Sequence, residues 1–243
     1  MLIKYMKESI VKWIQNWFKE NGPDCKAVIG ISGGKDSSIV AALCVEALGK
    51  DRVIGVMIPE DLDENDADAK RLIDHLQIEN MCIELRPIVK PIVDQVFEYG
   101  NWSDQSSMNV RPRLRMSILY AIAQSHNGRV ANTCNLSESY IGWETRWGDA
   151  VGDFAPLAGL TCSEVIALGK ELDLPKELIE KVPSDGLCGR SDEEAFGFSY
   201  DELDRWIRLQ VKGENHSRIM QLHEKNRFKQ LDLPHYSPPL VKY

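Results

Sequence analysis

The sequence that decides the fold is KAVIGISGGKDSSIVAALC, residues 26–44 of the chain. Its first part, 26–31, is a short apolar run rich in β-branched residues, which predicts a strand. The small residues 32–34 end that strand, and a helix is expected to begin near Asp36. Four apolar residues at helical spacing are predicted to form the buried face of this helix: Ile39, Val40, Leu43 and Cys44.

Strand and helix continue to alternate along the next hundred residues. Further strands are predicted at 52–58, 81–85 and 129–133, and helices at 66–77, 87–99 and 110–126. These strands are apolar throughout rather than at every second residue, which is typical of a parallel sheet covered on both faces. We therefore predict an α/β fold with a doubly wound, mainly parallel sheet and helices on both faces.

The second half of the chain is predicted to be more helical. Helices are expected at 161–172, 176–181, 200–210 and 214–230. Between them, 182–199 is rich in Gly, Ser and Asp and lacks a clear period, which predicts a lid loop. No flexible linker is apparent in the composition, so we expect one domain over residues 1–243.

The composition excludes several classes of function. With 29 Lys and Arg against 37 Asp and Glu, the net charge of −8 disfavours general nucleic-acid binding. The first 20 residues indicate an amphipathic helix, and neither a membrane-crossing stretch nor a signal peptide is visible, so a cytoplasmic location without membrane association is expected. Six scattered cysteines form no C-x-x-C pair, which disfavours a zinc or iron–sulfur site.

The turn between the first strand and its helix is suited to binding phosphate. Successive backbone N–H groups can point inward there, and the helix N-terminus adds partial positive charge. Lys35 can supply a cation, whereas the carboxylate of Asp36 would repel phosphates unless Mg²⁺ lies between them. Asp36 is therefore a candidate metal ligand. The alternative is a turn whose small residues serve only packing.

This segment is neither a Walker loop nor a G-x-G-x-x-G motif, because Lys35 is followed by Asp36. It resembles the S-G-G-x-D-S signature of the PP-loop ATP pyrophosphatases, which split ATP between its α- and β-phosphates. The resemblance implies an adenine nucleotide alpha hydrolase-like fold. Together with two positions further along, it implies these ATP contacts: Gly30, Ile31, Ser32, Gly33, Gly34, Lys35, Asp36, Ser37, Thr133 and Ser184.

Later motifs favour one branch of this superfamily. Residues 109–116, NVRPRLRM, look like the N-x-x-x-R-x-R-M element of NAD synthetases, and 132–138, NTCNLSE, are similar to their G-T-x-N-x-S-E. By this resemblance Thr133 contacts ATP, and Glu138 joins Asp36 on Mg²⁺. A helix start, with Asn135 as N-cap and Glu138 as its capping-box partner, is an alternative that can coexist with the metal role.

The same resemblance assigns four residues to the acceptor, deamido-NAD: Arg113, Arg146, Asp153 and Lys229. Arg146 and Asp153 lie in TRWGDAVGD, 145–153, which resembles the family's T-K-Y-G-D stretch and the Asp that follows it. A solvated helix surface is the alternative for Arg113 and for its neighbour Arg115, and a solvated charge is the alternative for Lys229. One departure stands out, because Cys162 occupies a position where many members have an ATP-binding Lys. Either Lys35 supplies that cation, or the phosphate contacts differ in this subgroup.

Taken together, the chain resembles the ammonia-dependent NAD synthetases from Gly30 to Lys229. This implies ATP-dependent amidation of deamido-NAD with ammonia through an acyl-adenylate, giving NAD, AMP and pyrophosphate. Catalytic roles fall to Lys35, Asp36 and Glu138, with Mg²⁺ as cofactor and ATP as cosubstrate. The resemblance leaves no room for a separate amidase domain, so free ammonia, or ammonia handed over by another protein, is expected, as is a homodimer. The alternatives are another AMP-forming ligase with a different acceptor and a non-catalytic nucleotide-binding protein.

Overall fold

The centre of the molecule is a sheet of four parallel strands in the order β3-β2-β1-β4. A computed structural model describes residues 2–62, 67–100, 102–179 and 191–237. Pairing joins Ala27 to Val53 on one side of the first strand and to Arg129 on the other. The strands are β1 (Lys26–Gly30), β2 (Val53–Met57), β3 (Glu79–Cys82) and β4 (Gly128–Val130).

Helices cover both faces of this sheet, as the apolar strands predicted. The first half of the chain contains α1 (Leu2–Asn21), α2 (Lys35–Leu48), α3 (Ala67–Leu76), α4 (Arg86–Phe97) and α5 (Asp104–Ser125). The second half contains α6 (Leu136–Ile141), α7 (Cys162–Gly169), α8 (Lys176–Ile179), α9 (Asp192–Phe196), α10 (Tyr200–Leu209) and α11 (His216–Asn226). Short 3-10 turns lie at Lys50–Arg52 and Arg227–Lys229.

Three apolar clusters hold these layers together. One lies between the sheet and α1, α2, α3, α7 and α8, and includes all four residues predicted for the buried face of α2. A second lies on the opposite face, where Val28, Ile54 and Val56 pack against α4 and α5. The third joins α6, α9, α10 and α11 around Phe196 and Leu203. The doubly wound α/β architecture is thereby confirmed.

The strand order locates the ligand-binding edge. The chain moves from β1 to β2 and β3 on one side and returns to β4 on the other, so the connections diverge beside the carboxyl end of β1. Ligands of open α/β sheets bind in the crevice outside such a switch point. Two segments flank this switch point, 31–34 after β1 and 131–135 after β4. They contain the two motifs singled out above.

Some predicted boundaries were wrong. Strand β3 lies at 79–82 rather than 81–85, because its polar first residue, Glu79, pairs with Ile54 at the edge of the sheet. Helix α5 begins at Asp104 rather than at 110, since Ser103 caps it by accepting a hydrogen bond from the N–H of Ser106. Strand β4 ends at Val130, and just beyond it Ala131 forms an isolated parallel bridge with Phe154.

The predicted lid loop at 182–199 is helical in part. Its residues 182–190 lie outside the described ranges, whereas 192–196 form α9. A capping box between Ser191 and Glu194 starts this helix, and Phe196 anchors it in the third cluster. The prediction missed this short helix because a single turn shows little period. Within the described ranges, no helix is long and apolar enough to cross a membrane.

Gly128 allows α5 to pack closely against β4. A Cβ built there would lie 2.6 Å from Cγ2 of Val28 and 3.2 Å from Cα of Ala123. We expect Gly128→Ala to lower the free energy of unfolding by about 1–3 kcal/mol, because backbone and core atoms would have to move. Urea denaturation measures this loss.

Gly159→Ala is the matched control, since its added Cβ would meet no atom within 4 Å. We expect its stability to stay within about 0.5 kcal/mol of the original or to rise slightly. Equal losses in the two variants would contradict the close packing of α5 on β4.

Candidate active site

Side-chain hydroxyls hold the turn after β1 in one shape. The N–H of Ser32 donates to Oγ of Ser37 at 3.3 Å, and the hydroxyls of Ser37 and Ser38 donate to the carbonyl of Gly34 at 3.2 and 2.7 Å. Gly33 has φ +72°, and a Cβ there would lie 3.1 Å from the backbone nitrogen of Ala69. The turn therefore requires glycine at this position, and it presents the N-terminus of α2 to a ligand at the sheet edge.

A buried ion pair lies at the start of α2. The side chain of Lys35 is 3% exposed, and its Nζ lies 2.7 Å from Oδ2 of Asp36. Burial alone would lower the pKa of Lys35, but Asp36 and Glu138 raise it above its usual value. Lys35 is therefore a permanent cation beside the turn after β1.

Asn135 links the carboxylate of Glu138 to that of Asp36. Its Nδ2 donates to Oδ1 of Asp36 at 3.1 Å, and its backbone N–H donates to Oε2 of Glu138 at 3.2 Å. The side chain of Asn135 also accepts from the N–H of Glu138, which completes the predicted capping box at the start of α6. Sequence reasoning foresaw the cap, but it missed the bond to Asp36.

The two carboxylates fit a divalent cation that arrives with phosphates. Burial and the negative charge of Asp36 raise the pKa of Glu138 well above its usual range, so one ammonium does not fully offset two acids. Mg²⁺ commonly takes one or two carboxylates and completes its shell with water and substrate phosphates. In the described part of the chain, no group of three or more His, Cys, Asp or Glu side chains could hold a metal by itself. Asp36 and Glu138 are the residues that would hold Mg²⁺ together with ATP.

Cys162 is buried close to this ion pair. Burial raises the pKa of its thiol to about 12, although Lys35 opposes the shift. Its backbone N–H donates to Oγ of Ser137 at 2.9 Å, and that hydroxyl donates to the carboxylate of Asp204. Cys162 is therefore a neutral thiol at the N-terminus of α7, and it carries no charge that could bind phosphate.

The segment after α6 folds against the end of β4. The side-chain amide of Asn132 donates to the carbonyls of Asp149 and Val151 at 2.8 and 3.2 Å. Within this segment the N–H of Thr145 donates to Oδ1 of Asp149 at 2.9 Å, and its hydroxyl donates to Oδ1 of Asn109 at 3.1 Å. The segment therefore lies between α5 and the carboxyl edge of the sheet.

The two predicted acceptor arginines lie side by side. Arg113 is exposed on α5, and its Nε donates to the carbonyl of Arg146 at 3.3 Å. Arg115, two residues further on, instead donates to the carbonyl of Ile58 at 3.1 Å, so the two α5 arginines make different contacts. Nε of Arg146 is buried without a hydrogen-bond partner among the described residues. An acceptor oxygen from a ligand would satisfy this donor.

The other two predicted acceptor residues make structural contacts. Nζ of Lys229 donates to the carbonyls of Gly142 and Glu144 at 2.7 and 2.9 Å, so it is not a solvated charge. Oδ2 of Asp153 accepts from the backbone N–H of Val130 at 2.7 Å and fixes the segment beside β4. Their role as contacts to an acceptor stays a prediction.

Of the remaining predicted ATP contacts, Thr133 follows β4 at the carboxyl edge and Ser184 lies outside the described residues.

The structure adds Tyr200, whose ring centroid lies 6.0 Å from Nζ of Lys35 and whose hydroxyl donates to Asp192 at 2.9 Å. Sequence reasoning placed Tyr200 only at the start of a predicted helix, 200–210. The capping-box pattern of Ser191 and Glu194 could have indicated that a helix begins there with Asp192.

Comparisons with known proteins agree on one family. A family model described as NAD synthase matches residues 6–233. An NH(3)-dependent NAD(+) synthetase from Methanocaldococcus jannaschii is 38% identical over 219 residues, with 87% of this chain and 85% of the relative covered.

Two solved structures share the fold over nearly their whole length. An NMN synthetase from Francisella tularensis superposes with a TM-score of 0.88 at 33% identity, covering 98% of this chain and 99% of that one. An NH3-dependent NAD synthetase from Campylobacter jejuni superposes with a TM-score of 0.80 at 28% identity, covering 98% and 100%. With a family model that matches residues 6–233 and a relative that is 38% identical over 219 residues, the chain belongs to the NAD synthase family.

Proposed function

We propose that the protein catalyses the ATP-dependent amidation of deamido-NAD with ammonia, releasing NAD, AMP and pyrophosphate. One observation carries this proposal: Asp36 and Glu138, about a hundred positions apart in the chain, meet through Asn135 beside the buried cation of Lys35. This arrangement suits a polyphosphate whose charge is offset by both an ammonium and a divalent ion.

The reaction has two steps. First, a carboxylate oxygen of the acceptor attacks the α-phosphorus of ATP, the bond to the β-phosphate oxygen breaks, and an acyl-adenylate forms. Ammonia then attacks the acyl carbon, the bond to the AMP oxygen breaks, and the nitrogen loses a proton as the amide forms. Both steps depend on placement and on stabilising the charge of the departing group.

The residues at the phosphate end stabilise the departing pyrophosphate. The N–H groups at the start of α2 and the ammonium of Lys35 face that charge, and Lys35 stays protonated because Asp36 and Glu138 raise its pKa. Asp36 and Glu138 are the residues that would hold Mg²⁺, and its chemistry there would be further charge neutralisation. At the other end, Arg113 and Arg146 orient the acceptor by binding its anionic oxygens.

A second candidate acceptor is nicotinate mononucleotide, which would give NMN. It is favoured by the likeness to the NMN synthetase of Francisella tularensis over nearly the whole of both chains. The same adenylation and amidation would apply, because the reacting nicotinate carboxylate is the same in both acceptors.

Two further properties belong to this proposal. A cytoplasmic location is supported by free thiols at all five cysteines in the described ranges and by the need for ATP. A homodimer is supported by exposed apolar side chains on α1, including Tyr5 and Trp13, and on α4, including Phe97. Static light scattering should give about twice the mass of one chain, and a monomer at working concentration would contradict the dimer.

Product analysis tests the reaction itself. Purified protein is incubated with ATP, Mg²⁺, ammonium and either deamido-NAD or nicotinate mononucleotide, and the nucleotides are separated by chromatography. We expect AMP together with NAD or NMN, and the ratio of kcat/KM values identifies the preferred acceptor. ADP as product would contradict the adenylate mechanism. Nucleotide binding without AMP release would favour a non-catalytic binding protein.

Variants at the paired carboxylates test the metal role. We expect Asp36→Asn and Glu138→Gln each to raise the Mg²⁺ concentration for half-maximal rate by about ten- to hundredfold, because each loses a charged oxygen ligand. Gln can still accept the capping hydrogen bond of α6, so the helix is retained. The Mg²⁺ dependence of AMP release measures the shift.

Asp94→Asn is the control, since this carboxylate is exposed on α4 and pairs only with the exposed Lys90 in the contacts described. Its Mg²⁺ requirement should equal that of the original protein. An unchanged requirement in both site variants would contradict the assignment of Asp36 and Glu138.

A further inference from the structure

The guanidinium of Arg146 lies between two aromatic rings. Its Cζ is 4.9 Å from the ring centroid of Trp147 and 5.4 Å from that of Phe228. Both distances are within the range of cation–π attraction. The rings come from different parts of the chain: Trp147 follows Arg146 directly, and Phe228 lies in the 3-10 turn Arg227–Lys229.

The backbone at Trp147 makes the first of these contacts possible. Adjacent side chains of an extended chain point to opposite sides, but Trp147 has φ +64°, a left-handed conformation that bulky residues rarely adopt. Hydrogen bonds fix this turn, because the N–H groups of Gly148 and Ala150 donate to the carbonyl of Thr145 at 2.8 and 3.3 Å. Strain of this kind is concentrated at functional sites.

A separate set of contacts places the second ring. Nζ of Lys229 donates to the carbonyls of Gly142 and Glu144, and Nδ2 of Asn226 donates to that of Ile141 at 2.9 Å. These bonds fasten the turn that carries Phe228 to the segment that carries Arg146. Trp147 and Phe228 are nevertheless 56% and 52% exposed, so neither ring contributes much to the core.

We propose that Trp147 and Phe228 form an aromatic clamp that positions the guanidinium of Arg146 for an anionic oxygen of the acceptor. The clamp restricts the side chain before the ligand arrives, so less conformational freedom is lost on binding. Nε of Arg146, buried without a partner among the described residues, is the donor that a carboxylate or phosphate oxygen would satisfy. Phe228 is thus a positioning residue from the C-terminal segment, and this role rests on the proposed function.

A double-mutant cycle tests the clamp. We expect Phe228→Ala to raise the KM for the preferred acceptor about two- to fivefold, the factor of one exposed cation–π contact, and to leave the KM for ATP unchanged. Phe228→Tyr should restore the original KM because it keeps the ring. In an Arg146→Ala background, Phe228→Ala should cause no further rise, since the group that it positions is gone.

Leu233→Ala is the matched control, because this apolar side chain is 71% exposed and lies in the same C-terminal segment. Its acceptor KM and its thermal midpoint should both be unchanged. The same rise in KM for Phe228→Ala with and without Arg146, or no rise at all, would overturn the clamp.

Failure of the clamp can be told apart from failure of the proposed function. If the original protein releases no AMP with either acceptor, the proposed reaction is wrong, and the cycle is repeated with Kd values for nicotinate mononucleotide from calorimetry. The clamp then stands if Phe228→Ala weakens binding only when Arg146 is present. Absence of binding to the original protein would overturn it as well.

Discussion

The candidate site depends on holding two carboxylates and one ammonium together in a largely buried position. Two carboxylates and one ammonium are costly to hold together where water is largely excluded, because isolated buried charges are strongly disfavoured. Asn135 offsets part of this cost by donating to both acids, one through its side chain and one through its backbone, although the pKa of Glu138 stays well above its usual range. The turn after β1 and the start of α6 are therefore fixed relative to each other before any nucleotide binds.

Helix N-termini recur around this cluster. Helix α2 begins at the phosphate turn, while capping boxes start α6 at Asn135 and α7 at Thr161. Asp204 of α10 links α6 to α7, since its carboxylate accepts from the hydroxyl of Ser137 and from the N–H of Ser163. N–H groups and partial positive charge are concentrated at such helix ends. The fold therefore directs positive electrostatic potential, which favours anions, toward one edge of the sheet.

Much of this arrangement could be predicted from local sequence. The turn after β1, the parallel strands and the cap at Asn135 follow from short motifs whose context is set within a few residues, whereas the joint role of Asp36 and Glu138 was implied only by the family resemblance. Contacts that depend on tertiary structure could not be predicted in this way. The fastening of Lys229 to carbonyls 85 and 87 positions away, and the meeting of Phe228 with Arg146, leave no periodic signal in the chain.

The neutral thiol of Cys162 bears on how the site withstands oxidation. Peroxides attack thiolates rather than thiols, and they need access to the sulfur. Cys162 is 1% exposed and its pKa lies near 12, so almost none of it is ionised at neutral pH. The protein therefore keeps a sulfur atom near Lys35, Asp36 and Glu138 without making this cluster a target for redox damage.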